Sequence, residues 1–189
     1  MHRSKHNTCD DAVQSDITQG DYRRALEVLV LGYQHLIVSF CTHMLGEATH
    51  GEEVAQEVFL AAYSAMPHFR QDASVRTWLF AIARKQCLKA LRDRQRRRRL
   101  ESERHAIIAT HVHRAPVASL EHDPAALLQQ VQQGLRKVDK AQRALLMMRY
   151  DAELSLVNIA SMLGISEAGV RRQLARALQR LREVMDDDT

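Results

Sequence analysis

Arg172 and Arg176 stand four residues apart in the segment GVRRQLARALQRL, on the side of a helical wheel opposite Val170, Leu174, Ala177, Leu178 and Leu181. Guanidinium groups at that spacing reach guanine edges or phosphate oxygens together. Gly169 lies beside them and puts no side chain between the backbone and a groove. Upstream, Leu156, Ile159, Ala160 and Leu163 recur at helical spacing, Gly164 stands where a helix stops on a left-handed residue, and Ser166 is a cap for the next helix. Residues 155–181 therefore read as a helix-turn-helix whose second helix faces DNA. A solvated arginine face on an ordinary bundle helix is the competing reading, and the glycine turn, the cap and the first helix weigh against it.

A second constellation gathers Trp78, Lys85, Lys89 and Arg92 on one side of a helix predicted over residues 73–94. Cations attract phosphate and an indole offers a flat face to an unstacked base, so the strip suits DNA that is single-stranded or opening. Trp78 fits core packing as well. The remaining sides, Val75, Leu79 and Ile82 in one stripe and Phe80, Cys87 and Leu91 in another, read as buried. Ahead of them, Glu52, Glu53, Gln56 and Glu57 precede Phe59, Leu60 and Tyr63. Carboxylates there complement a helix dipole, and the same face can dock a basic protein surface; composition does not choose between the two.

The elements that must carry these residues are helical. Seven glycines and three prolines in 189 residues, with no alternating strand pattern, predict an all-α chain of two small domains. The first runs over residues 17–95, with breaks at Gly20, at 46–51 and at 66–74, and follows an N-terminal tail, 1–16. A flexible linker, 96–124, rich in arginine and histidine, separates it from a second domain, 125–185, opened by Asp123 and Pro124. Residues 186–189 form an acidic tail. The net charge of +4 conceals ten basic and three acidic residues between Arg84 and Arg104, a footprint for a polyanion. Three widely spaced cysteines suggest neither a disulfide framework nor a zinc site. His2, His6 and Cys9, and the linker's His105, His111, His113 and His122, lack a tight ligand motif, so no metal or other cofactor is expected. Nor is any catalytic residue. The apolar stretch 26–40 is interrupted by Gly32, Gln34 and His35 and is expected to be too short to cross a bilayer; a cytoplasmic location without membrane insertion follows.

The run HGEEVAQEVFLAAYSAMPHFRQDASVRTWLFAIARKQCLKALRDR, followed by KAQRALLMMRYDAELSLVNIASMLGISEAGVRRQLARALQRLRE, resembles the extracytoplasmic-function group of bacterial sigma factors, over residues 20–95 and 125–185. The resemblance implies a first domain that docks on core RNA polymerase and melts the minus-ten promoter element, and a second that reads the minus-thirty-five element. By position it implies polymerase contacts at Glu53, Gln56, Glu57, Phe59 and Leu60. It implies a loop that receives a flipped base at 69–74, with Phe69, Arg70, Asp72 and Ser74, and minus-ten contacts at Arg76, Trp78, Arg84, Lys85 and Lys89. Upstream contacts fall on Ser166, Gly169, Arg171, Arg172, Gln173 and Arg176. Promoter DNA, core polymerase and an anti-sigma factor are the implied partners. The chain departs from the family pattern at His50, Ala55 and Asn158, and at Gly169, Arg172, Gln173 and Ala175 in the recognition helix, so no consensus upstream element transfers. Two other readings are a stand-alone DNA-binding regulator and a sigma-like interaction protein without initiation activity.

Overall fold

A computed structural model describes residues 3–104 and 138–186. The described residues are helical, with no strand among them. In chain order they are α1 (Arg3–Gln19), α2 (Tyr22–Leu45), α3 (Ala48–Ala65), a 3-10 turn (Met66–His68), α4 (Val75–Arg104), α5 (Lys140–Leu146), a π turn (Met147–Asp151), α6 (Leu156–Leu163) and α7 (Glu167–Asp186).

The N-terminal domain is built around α2. Its Ala25, Leu29, Tyr33, Ile37, Phe40, Cys41, Met44 and Leu45 recur every three or four residues and are buried against α1, α3 and α4. At 24 residues, α2 has the length and hydropathy of a membrane span, contrary to the expectation drawn from the interrupted apolar stretch. The buried stripe gives it the role of a core helix instead. Asp21 caps its start by accepting from the Arg24 amide. Gly51 lets α3 cross close to α2: a Cβ there would lie 2.6 Å from the Thr42 Cα. Phe40 and Phe80 meet edge to face at 5.3 Å between centroids, joining α2 to α4.

Two boundaries differ from those expected. Residues 3–16 are not a tail; they belong to α1, whose Val13 and Ile17 are buried in the core. Helix α4 does not stop near residue 95 but continues through the arginine run to Arg104. Neither glycine nor proline interrupts 75–104, and arginine is a good helix former. The rest of the expected linker, with its histidines, and the start of the second domain lie outside the described residues, as do the last three residues of the acidic tail.

In the C-terminal domain, α5, the π turn, α6 and α7 bury Leu145, Met148, Ile159, Val170, Leu174 and Ala177. The predicted turn is present: Gly164 has φ 66°, ends α6, and its N–H donates to the carbonyls of Ala160 and Ser161. Buried apolar residues of both domains form one continuous cluster, because α5 lies against α2.

Candidate nucleic-acid and protein interfaces

The outward face of α7 is bare. Val170, Leu174 and Ala177 point inward, while Arg171, Arg172, Gln173 and Arg176 are exposed. Ser166 accepts from the Gly169 amide at 3.1 Å, fixing where the helix begins. Arg171 is paired with Glu167 of its own helix at 3.3 Å. Neither Arg172 nor Arg176 has an ion pair among those of the described residues, so both guanidiniums are available to phosphate or base edges.

On the N-terminal domain, Leu26, Val30, Gln34 and Val38 of α2 and Glu52, Ala55, Gln56, Phe59 and Leu60 of α3 line an open groove of about 550 Å³. Leu60 is 66% exposed and Leu31, one position further along α2, 87%. Glu53, Gln56 and Glu57 are exposed; Phe59 is buried at the floor. Of the five residues expected to dock a partner, Gln56, Phe59 and Leu60 line this groove, with Glu52 as its carboxylate, while Glu53 and Glu57 are exposed on the same helix outside its lining. His50, one of the departures, packs its ring nitrogen 3.2 Å from the Glu53 carboxylate. The apolar half of this groove contributed by α2 was missed in the sequence; the unburied positions Leu26, Val30 and Leu31 beside the core stripe were its signal.

The loop at 69–74 is held at three points. Phe69 packs on Trp78 with ring centroids 4.8 Å apart. Gln71 takes a left-handed backbone, φ 61°, and its side-chain amide is clasped by α1. Gln14 donates to it at 2.6 Å, and it donates to Thr18 at 3.2 Å. Ser74 accepts from the Thr77 amide and so caps α4. Between these ties Arg70 and Asp72 are exposed. Trp78 is half-buried: it packs against the core and Phe69 yet keeps a surface edge.

The cations of α4 divide. Lys85 and Lys89 are exposed, whereas Arg76 and Arg84 turn toward the C-terminal domain. Arg76, expected on a DNA-contacting surface, is only 8% exposed. Its guanidinium reaches the Ala152 carbonyl at 3.2 Å, the Glu153 carboxylate at 3.7 Å and the Tyr33 hydroxyl at 3.5 Å. A buried cation requires such partners. Tyr33 in turn donates to Asp10; burial and that carboxylate push the phenol above its ordinary range. Arg84 donates to the Met162 carbonyl at 3.4 Å. Asn158, where the family pattern has glutamate, donates to Thr77 at 2.8 Å.

At the other end of the contact, α5 caps α2. Arg143 donates to the His43 carbonyl at 2.8 Å and Lys140 to the Leu45 carbonyl at 3.5 Å. Cations at a helix C-terminus satisfy carbonyls that have no partner within the helix and complement its dipole. Partial burial, then Arg94, Arg143 and Arg98 nearby, hold the Lys140 ammonium below its usual range. Among the described residues, no group of three or more His, Cys, Asp or Glu side chains is placed to hold a metal ion.

The family model for sigma-70 region 2 matches residues 29–97 and that for sigma-70 region 4 matches residues 134–183. Similar proteins include the ECF RNA polymerase sigma factor SigW of Bacillus subtilis, 26% identical over 176 residues, or 90% of this chain and 94% of that one. The RNA polymerase sigma-H factor of Pseudomonas aeruginosa is 39% identical over 74 residues, and the ECF RNA polymerase sigma-E factor of Escherichia coli 34% over 74. These last two alignments span 38% of each relative and 39% of this chain. Two solved structures share the fold. The sigma factor RpoE in complex with the anti-sigma factor NepR from Bartonella quintana has a TM-score of 0.67 at 21% identity, covering 86% of this chain and 98% of that one. CnrH in complex with the cytosolic domain of CnrY has a TM-score of 0.65 at 23% identity, covering 96% and 99%.

Proposed function

The chain belongs to the extracytoplasmic-function RNA polymerase sigma factors, and from that premise we propose how its surfaces divide the work of transcription initiation. It is an alternative sigma factor: it binds core RNA polymerase, directs it to promoters and helps open them. The groove between α2 and α3, with Gln56, Phe59 and Leu60, and the exposed Glu53 and Glu57 of α3 outside it dock the polymerase core. The loop at 69–74 and the exposed face of α4, with Arg70, Asp72, Trp78, Lys85 and Lys89, engage the minus-ten element. The bare face of α7, with Gly169, Arg172, Gln173 and Arg176, reads the minus-thirty-five element, and Ser166 fixes its approach.

Strand opening by these surfaces needs no hydrolysis and no catalytic side chain. Each unstacked base step costs about 1 to 2 kcal/mol, which contacts to the separated strand and to the phosphates offset. The protein acts in the cytoplasm. An anti-sigma factor is a partner, as it is in both structural relatives, and competes for the surfaces that polymerase uses. Where that partner is anchored in the inner membrane, the inactive complex sits there too; when released, the sigma factor joins the polymerase on the nucleoid.

The observation that carries this reading is the coexistence, in one chain, of an acidic-rimmed apolar groove on region 2 and an unpaired arginine face on the recognition helix of region 4. The experiment is transcription in vitro from a genomic promoter library with core polymerase, with and without the chain, mapping starts by sequencing. New starts sharing paired upstream and downstream elements are expected. Binding to core without new starts would replace initiation by an interaction role.

A further inference from the structure

Helix α1 and the loop at 69–74 border another shallow groove, of about 330 Å³, lined by Asp11, Gln14, Ser15, Thr18 and Gln19 of α1 and by Gln71. All six carry hydrogen-bonding side chains and none is a cation; only Gln14 is half-buried, and the rest are exposed. Three of them are joined in a chain that stiffens one side of the groove. Gln14 donates to Gln71 at 2.6 Å, Gln71 to the Thr18 hydroxyl at 3.2 Å, and Thr18 to the Gln14 backbone carbonyl at 2.8 Å. Gln19 donates to the Ser15 hydroxyl at 2.9 Å. These bonds use amide N–H groups. Among the described residues, no hydrogen bond or ion pair ends on the side-chain oxygens of Gln14 and Gln19 or on the Asp11 carboxylate. The groove therefore presents mainly acceptors to an incoming molecule.

We propose that this groove reads a base of the separated promoter strand, next to the base received by the loop, and selects one that carries an exocyclic amino group. Adenine, cytosine and guanine each offer such a donor to carboxylate and amide oxygens. Thymine has none and turns carbonyl oxygens toward them, which leaves acceptors facing acceptors. Duplex DNA does not suit the same surface, because its phosphates come first and the lining holds a carboxylate and no cation. Arg70, exposed and next to Gln71 in the chain, is the cation at hand for a flanking phosphate. Gln71 belongs to both places: its side chain lines the groove and its backbone is part of the loop, so a strand leaving the loop meets α1 directly. The region 2 family model begins at residue 29, so this determinant lies outside the matched segment. The inference rests on the assignment of the loop at 69–74 to the minus-ten element.

The test uses core polymerase carrying the full chain and a pool of single-stranded oligonucleotides with a randomised block, the bound molecules being sequenced. Asp11→Ala with Gln19→Ala removes two acceptors from exposed positions and leaves the ties among Gln14, Gln71 and Thr18 in place. With the unaltered chain, thymine should be depleted at least about five-fold at one position adjoining the one selected by the loop. The double variant should lose that depletion while keeping the loop's own preference and the same association with core. Asp11→Asn, which sets an amide N–H beside the acceptor, should raise the recovery of thymine at the same position. Identical base preferences at every position for wild type and double variant overturn the inference and leave the loop assignment standing. A pool recovered by the wild type without preference at any position shows that the loop assignment has failed, and this inference with it.

Discussion

Gln71 holds a left-handed backbone that costs a residue with a Cβ on the order of 1 kcal/mol, and its side chain is what offsets that cost. Its amide bridges Gln14 and Thr18, so α1, which lies N-terminal to the segment matched by the region 2 family model, positions the loop assigned to the flipped base. Two substitutions separate strain from tethering. Gln71→Ala keeps the strained φ and loses both bonds, and should lower unfolding stability by about 0.5 to 1.5 kcal/mol in urea titrations. Gln71→Gly loses the same bonds but relieves the strain, and should be close to neutral. Both should slow promoter opening, followed by permanganate reactivity of unpaired thymines, with core binding unchanged. If Gln71→Gly opened promoters at the wild-type rate, the tether would have no part in presenting the loop.

At the scale of elements, the recognition helix was legible because every signal for it is local. Val170, Leu174 and Ala177 define its buried face, Ser166 its start and Gly164 the turn before it, and each stands where the spacing put it. Arg172→Ala and Arg176→Ala should each weaken upstream-duplex binding by about 1 to 3 kcal/mol if they read bases, leaving core association intact; anisotropy titrations measure both. Helix α3 carries the converse prediction. Glu53→Lys with Glu57→Lys, both on exposed positions, should weaken association with core at least ten-fold in native-gel titrations before any effect on isolated upstream DNA. Helix α1 was the element not seen. Its polar composition hides three apolar contacts, Cys9, Val13 and Ile17, spaced four apart, enough to fasten a helix to a core but too few to announce one. The end of α4 is hidden for the opposite reason: the composition changes at the arginine run, but nothing there breaks a helix.

Across the whole molecule, what sequence could not supply was the direction of the α4 cations, because wheel position says which residues share a side but not which domain covers that side. Arg84 and Lys85 are neighbours in the chain; one donates to Met162 across the domain contact and the other faces solvent. That difference has a thermodynamic signature. Each phosphate neutralised by a cation contributes about 0.9 to the slope of log affinity against log salt on duplex DNA. Here Arg84 is engaged by the Met162 carbonyl and makes no such contribution; wherever that domain contact is broken, its guanidinium is available. Arg84→Gln should therefore reduce the salt slope of promoter binding by the holoenzyme by about 0.9, and leave the slope of the free chain on the same duplex unchanged. Glutamine retains a side-chain donor for the Met162 carbonyl, so the closed contact is perturbed less than alanine would perturb it. An equal reduction in both forms would mean that Arg84 is already available to phosphate before polymerase binds, and the carbonyl contact would then carry no control over DNA access.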